Sequence, residues 1–402
     1  MLKKVIILIL LISLILITDH INHHDINEST FQPLSTQPTP EKLITTLNSK
    51  SLSAPISYDN ELGYSNTTQS QHILIFRTGE EFTGVAARNT KQAAQEIPQL
   101  KQIEQKTITK PTTNWQLSIV FDNDIFANRD FYYTNGLKIN LIAPFLKNSP
   151  LNKILFGSKK SDLVLCGLSI THNMYTPINP DTTLILVGDR PFTSYLSFGQ
   201  FRETYNLEKK LHVKSEINIG VLGPSSFGRQ VQSTIHEREP VGWQNQLNND
   251  IVLSYEFEVE KGLVSNSAVE INIVGKTTLG TLYNKIGGGM YFRTGNFMPV
   301  FRGPFSFFEN KNPGGRYQFW IFTSILVDFV AYDATLQGGI FSEDNIYTIS
   351  SRDISRLVIR ASAGMALYYN SIGIEYEHFY LSPEFKGAKY FSWGRIKAVL
   401  AF

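Results

Sequence analysis

"IVLSYEFEVE", residues 251–260, alternates along most of its length. Ile251, Leu253, Tyr255, Phe257 and Val259 fall on one side, and Ser254, Glu256, Glu258 and Glu260 on the other. A period of two is the signature of a β-strand with one apolar face, and here the opposite face carries charge. "LHVKSEINIGVL", residues 211–222, repeats the pattern: Leu211, Val213, Ile217, Ile219 and Val221 oppose His212, Lys214, Glu216 and Asn218. Working outward, similar segments recur near 115–121, 134–142, 162–172, 192–201, 267–275, 279–292, 315–330, 355–369, 371–380 and 390–402. That makes twelve strands, with no helical domain between them.

A soluble sandwich would also alternate. Here, however, the apolar faces are rich in Ile, Leu, Val, Tyr and Phe, while the opposite faces carry Glu, Lys, Asn and Gly, as a wet interior requires. An even strand number suits closure, and closure removes the unpaired edges that hydrocarbon would penalise. The expected fold is therefore all-β, a twelve-stranded antiparallel transmembrane β-barrel over residues 111–402. Residues 1–18 read as a signal segment. Lys3-Lys4 precede the thirteen-residue run Val5 to Ile17, apolar except for Ser13 and shorter than the roughly 20 residues a spanning helix needs. Ile17-Thr18-Asp19 is a poor cleavage site, so an uncleaved anchor is the alternative. Residues 19–110 read as a loosely ordered, low-complexity periplasmic linker. Within it, His20, His23, His24 and Asp25 are read as solvated tail residues.

The formal net charge of +2 and the absence of a basic block argue against a nucleic-acid partner. A single cysteine, Cys166, excludes an internal disulfide and any multi-cysteine metal site, and is read as a buried or lipid-facing small residue.

With both termini in the periplasm, odd-to-even connections face outward. The polar clusters then gather on one rim: "DND" at 122–124 and "YYTNG" at 132–136 around the first loop, "GDRPF" in the second, 222–247 in the third, "YDATLQGG" in the fifth and "FSWGR" leaving the sixth. Asp124, Asn123, Thr134 and main-chain carbonyls offer oxygen donors suited to a hard cation such as calcium. One histidine beside such a cation, His236, is enough for metal-assisted ester hydrolysis, with the imidazole taking a proton from water. The long connections at 143–161 and 293–314 would be periplasmic, and nothing in the sequence accounts for their length.

"DNDIF…RDFYYTNG", "GDRPF", "GVLGPSSFGRQVQSTIH…PVGWQNQL" and "TLQGG" occur in the order seen in the lipid A 3′-O-deacylase (LpxR-type) family of outer-membrane enzymes, which residues 114–402 resemble. The ending "RIKAVLAF" is similar to the closing strand of outer-membrane barrels. The resemblance implies a twelve-stranded barrel in the bacterial outer membrane. It implies calcium-dependent hydrolysis of the ester-linked 3′ acyl chains of lipid A (lipopolysaccharide). It sets Asn123 and Asp124 on the family's Asn-Asp pair, Thr134 on its loop hydroxyl and His236 on its general base. Glu237 and Glu239 are both candidates for the acidic residue that supports the base. A lysine of the family site has no counterpart after "NMYTP". Asp124 and Thr134 are thus the expected metal ligands, and His236, Asn123, Glu237 and Glu239 the expected catalytic set. Arg190 is either a substrate-phosphate contact or, through Asp189, a loop clamp. Trp243 and Tyr195 are expected as membrane-interface aromatics, and "GPSSFG" as a tight turn rather than a Ser225 or Ser226 nucleophile. Another outer-membrane lipid hydrolase, phospholipase-like, or a non-catalytic barrel that keeps this rim are the competing readings.

Overall fold

The computed structural model describes residues 115–128, 131–235, 241–304 and 317–402. The expected signal and linker segments, the histidines at 20, 23 and 24, and His236, Glu237 and Glu239 lie outside the described residues.

Twelve antiparallel strands close into a barrel: β1 Gln116–Asn123, β2 Tyr132–Ile142, β3 Leu163–Thr176, β4 Thr193–Asn206, β5 Leu211–Leu222, β6 Asp250–Ser265, β7 Val269–Gly280, β8 Tyr283–Asn296, β9 Tyr317–Asp333, β10 Leu357–Tyr369, β11 Ile372–Leu381 and β12 Phe391–Ala401. Each strand pairs with its sequence neighbours, and β1 with β12 (Gln116 opposite Ala401, Asp122 opposite Arg395) shuts the cylinder. Among the described residues two short helices, α1 Gly228–Ile235 and α2 Ala334–Gln337, sit in connections. The tightest hairpin joins Tyr369 to Ile372 through Asn370, which takes φ 53°. Asparagine tolerates that left-handed geometry, and the turn's twist matches that of the strands.

The two faces divide as the alternation predicts. Ile219, Ile251, Leu253 and Leu279 stand exposed on the outer wall. The inner wall is laced with ion pairs, among them Lys138–Glu216 at 3.2 Å, Lys276–Glu258 at 2.8 Å and Lys397–Glu375 at 3.0 Å. The first two pairs border a cavity of about 260 Å³ that Lys214, Asp328 and Arg360 also line.

Apolar clusters lie near both ends. At the outer end Tyr132, Tyr133, Leu336, Phe379, Phe385, Phe391 and Trp393 form one cluster. At the end where β1 begins and β12 finishes, Phe297, Trp320, Phe322 and Tyr368 form another. Arg293 is stacked 4.0 Å from the Phe297 ring and paired at 2.6 Å with Glu270. The 8–9 connection therefore begins by folding back into the lumen, which accounts for part of its length.

Candidate active site on the outer wall

Strand β1 ends at Asn123, whose Oδ1 accepts the Ile125 N–H at 2.8 Å and caps a 3-10 turn, Asp124–Ala127. Because the cap uses the carbonyl oxygen, the amide nitrogen is the end left to donate. The turn folds over the outside of the wall. Phe126 packs edge-on against Phe121 and Tyr376, each at 6.4 Å, and both rings belong to the outward set. Gly394 makes the fit possible, since a Cβ there would stand 2.5 Å from the Phe126 Cβ. Asp124 opens this turn and is 4% exposed.

The return strand starts under strain. Tyr132 has φ 67°, a region that costs a non-glycine residue about 1 kcal/mol. Edge contacts with Phe131, Phe385 and Phe391 hold it there, and its hydroxyl accepts the Lys389 N–H at 3.2 Å. Two residues later the β2–β3 register slips: Tyr133 pairs with Tyr175 but Asn135 pairs with Met174, so Thr134 is the extra residue of a bulge. Such a bulge re-aims side chains. Tyr133 turns into the lumen and donates to Asp122 at 2.9 Å, while Thr134 lies 2.8 Å from the Thr176 hydroxyl. Asn123 opposes Asn135 at the last rung of the β1–β2 ladder, so Asp124, in the turn that follows, and Thr134, in the bulge, belong to the same end of one hairpin.

Beneath them Asp122 is held by Arg395 in a bidentate pair, Nε to Oδ1 at 2.6 Å and Nη2 to Oδ2 at 2.8 Å. Sequence reading passed over this clamp, although "FDND" carries the second aspartate and "FSWGR" the arginine.

The third outer loop also covers the wall. His172, Met174 and Ser194 occupy positions whose register points outward, toward lipid. His172 Nε2 donates to the Ser226 carbonyl at 3.0 Å, and the Ser194 and Ser226 hydroxyls are 2.6 Å apart. Met174, Phe192 and Trp243 form a buried cluster with Val231 of α1 packed on it. Gly228 lets α1 approach, because a Cβ there would meet Trp243 at 2.7 Å. Gln232 of α1 is buried, and the helix ends at Ile235, the residue before His236. "GPSSFG" is a tight turn as expected, with Ser226 buried in its own hydrogen bonds.

Two expectations are corrected. Trp243 is 1% exposed beneath the loop and Tyr195 points inward, accepting from Asn173 Nδ2 at 2.6 Å, so neither is a membrane-interface aromatic. Arg190 does not pair with Asp189, whose carboxylate instead accepts the Ile178 and Arg190 N–H groups. The Arg190 guanidinium is buried, donates to Glu384 at 2.6 Å and to Thr335 at 2.7 Å, and lies 4.2 Å over the Tyr175 ring. It ties the second, fifth and sixth outer loops together. Burial pulls its pKa down, but Glu384 and Asp333 outweigh that and hold it charged.

Among the described residues one histidine–carboxylate group has metal-ligand spacing: His212, Glu258 and Glu260 in the lumen. It sits near the terminal end of β5, far from Asp124, and Glu258 is already paired with Lys276. Asp124 and Thr134, the oxygen donors expected for a hard cation, are not part of this group.

A closed barrel with an apolar outer wall is the architecture of an integral outer-membrane protein. The model of the family described as Outer membrane protein LpxR matches residues 83–402, and the chain belongs to that family. The match begins within the segment read as linker. Among solved structures, LpxR from Salmonella typhimurium aligns with a TM-score of 0.56 at 19% identity, covering 71% of this chain and 100% of that one. The β-domain of the Bordetella autotransporter BrkA aligns at 0.37 and 10% identity, covering 72% and 100%. The translocator domain of the autotransporter NalP from Neisseria meningitidis aligns at 0.33 and 8%, covering 79% and 98%. No curated protein matches the chain in sequence. Membership of the LpxR family makes the chain an outer-membrane, lipid A-modifying hydrolase.

Proposed function

We propose that the protein hydrolyses the ester-linked 3′ acyl chains of lipid A, in a calcium-dependent reaction at the outer-leaflet end of its outer wall. The observation that carries this reading is the pair of polar groups at the top of the first hairpin, Asn123 at lipid-facing register and Thr134 bonded to Thr176 on the outer side, where a soluble substrate has no reason to come and a membrane lipid does.

In this reading His236 takes a proton from water, and the water oxygen attacks the ester carbonyl carbon. The Asn123 amide donates to the oxyanion that forms. Collapse expels the sugar 3′-oxygen, which takes the proton back from the imidazolium. The products are a free 3′-hydroxyl and a fatty acid. Glu237 or Glu239 orients the imidazole. Asp124 and Thr134, with main-chain carbonyls, would hold calcium, which when bound would supply Lewis-acid charge to the reaction. Arg190 is left out of the substrate contacts, because Glu384 and Thr335 already occupy it.

Mass spectrometry of lipid A from cells with and without the protein tests the proposal. Loss of the mass of the 3′-linked chains is expected. Lipid A of unchanged mass alongside altered phospholipids would favour the phospholipase reading instead.

A further inference from the structure

Outer-membrane barrels ordinarily turn at the periplasmic side with short connections, yet β2 and β3 are joined by some twenty residues. The connection does not hang free. It forms two successive 3-10 turns, Pro144–Asn148 and Pro150–Lys153, and lies along the outside of the wall across β3 to β6. The residues that receive it have outward register: Gln200, Arg202 and Thr204 on β4, Ser215 on β5 and Tyr255 on β6. On a bare lipid-facing wall these polar groups would be costly.

Each of them satisfies the connection. Arg202 donates to the Asn152 and Leu155 carbonyls at 3.4 and 3.3 Å, and Tyr255 donates to the Ile154 carbonyl and accepts the Phe156 N–H, both at 3.0 Å. Ser215 donates to the Phe156 carbonyl at 2.7 Å, Thr204 accepts the Ser158 N–H at 2.9 Å, and Gln200 accepts from Ser149 Oγ at 2.8 Å. Phe145, Leu151, Ile154 and Phe156 point away from the wall, the last 67% exposed, beside exposed Lys147, Asn148, Pro150 and Lys153. Backbone satisfied on the wall side beneath four large exposed apolar groups is unlike a hydrated loop. It is the condition under which irregular backbone survives in hydrocarbon.

We infer that residues 143–157 form a strap immersed in the periplasmic leaflet of the outer membrane. Its exposed side chains contact glycerophospholipid acyl chains, and Lys153, Lys159 and Lys160 reach the headgroup phosphates. Three observations select this occupant. The strap is continuous with the lipid-facing wall, Phe156 meeting Tyr255 at 5.9 Å and Phe257 at 6.5 Å. Phe145 lies 5.6 Å from Trp115, which stacks on Phe402, so the strap extends the aromatic edge at the terminal end. Lys153 is exposed on the second 3-10 turn, and Lys159 and Lys160 are exposed where the strap leaves the wall, suited to anionic headgroups.

The test uses the full chain in vesicles of phosphatidylethanolamine and phosphatidylglycerol. In a Cys166→Ala background, single cysteines replace Ile154, Phe156, Lys159 and Ile251 in turn, and each carries a nitroxide. Labels at 154 and 156 should be relaxed more by oxygen than by a water-soluble nickel chelate, as at the lipid-facing control 251, with the order reversed at 159. Labels at 154 and 156 as open to the chelate as the one at 159 would overturn the inference. A second arm needs no label: the double variant Ile154→Asp, Phe156→Asp should assemble into these vesicles at least tenfold more slowly, read by heat-modifiable gel mobility. Unchanged assembly would count against immersion, and neither arm depends on catalytic activity.

Discussion

Thr134 Oγ1 and Thr176 Oγ1 stand 2.8 Å apart on the outer side of the β2–β3 bulge. If Thr134 donates this bond, both of its lone pairs are left for a cation. Replacing Thr176 with valine removes an acceptor without touching a proposed ligand. Loss of one hydrogen bond, about 1 kcal/mol, should raise the calcium concentration for half-maximal deacylation roughly fivefold. The rate at saturating calcium should hold.

Removing the proposed ligands should have a larger effect. Asp124→Ala should behave like wild-type protein in excess chelator, inactive but folded, with activity in the chelated wild type restored by calcium and not by zinc. Full activity in chelator would sink the calcium mechanism.

His236 is proposed to work as a neutral imidazole with an ordinary pKa of about 6.5. Deacylation should therefore fall below roughly pH 6.5 with the slope of a single proton. His236→Asn should cost on the order of 100-fold in rate while calcium still protects the protein against heat.

Gly394→Ala should push Phe126, and with it the Asp124 turn, off the outer wall. Activity should drop at least tenfold while the barrel still assembles, since Gly394 contributes only backbone to the β12 ladders. Phe126→Ala in the same chain should recover much of the loss. A double variant no better than the single one would place the damage elsewhere.

Arg190→Met should act on stability rather than on substrate affinity. It leaves Glu384 buried beside no cation, a loss of about 3 kcal/mol before solvent screening at the partly exposed carboxylate. Burial raises the Glu384 pKa above the usual range, with Arg190 opposing, so the arginine's removal raises it further. A raised folded pKa means the deficit grows as pH rises through it and shrinks toward about pH 4, near the unfolded value. Thermal unfolding of variant and wild type across pH 4 to 8 would show this. A higher KM for lipid A at unchanged stability would return Arg190 to the substrate.

The alternation in "IVLSYEFEVE" and its eleven counterparts revealed every strand and the barrel's inside and outside, because a period of two is a local property of the chain. Closure and the outer rim followed from counting. What stayed hidden was non-local or out of phase. The bulge at Thr134 is a slip of one residue that composition does not reveal. Arg190 and Glu384 meet across 194 residues of sequence. Trp243 looked interfacial because nothing in its neighbourhood announces the roof above it. One signal was available and unused: polar residues at lipid-facing register, such as His172 and Ser194 near one end and Arg202 and Ser215 near the other. They mark where the wall is covered by the protein's own chain.

The aromatic layers at the two ends of the barrel bear on permeability. Tyr132, Phe391 and Trp393 pack together at one end and Phe297, Trp320 and Tyr368 at the other, with the charged chamber between the two clusters. In a planar bilayer the protein should carry no steady ionic current, in contrast to a porin of greater girth. A cell could then insert it in many copies without admitting antibiotics or losing solutes, so its abundance can follow the supply of substrate rather than the leak tolerance of the envelope.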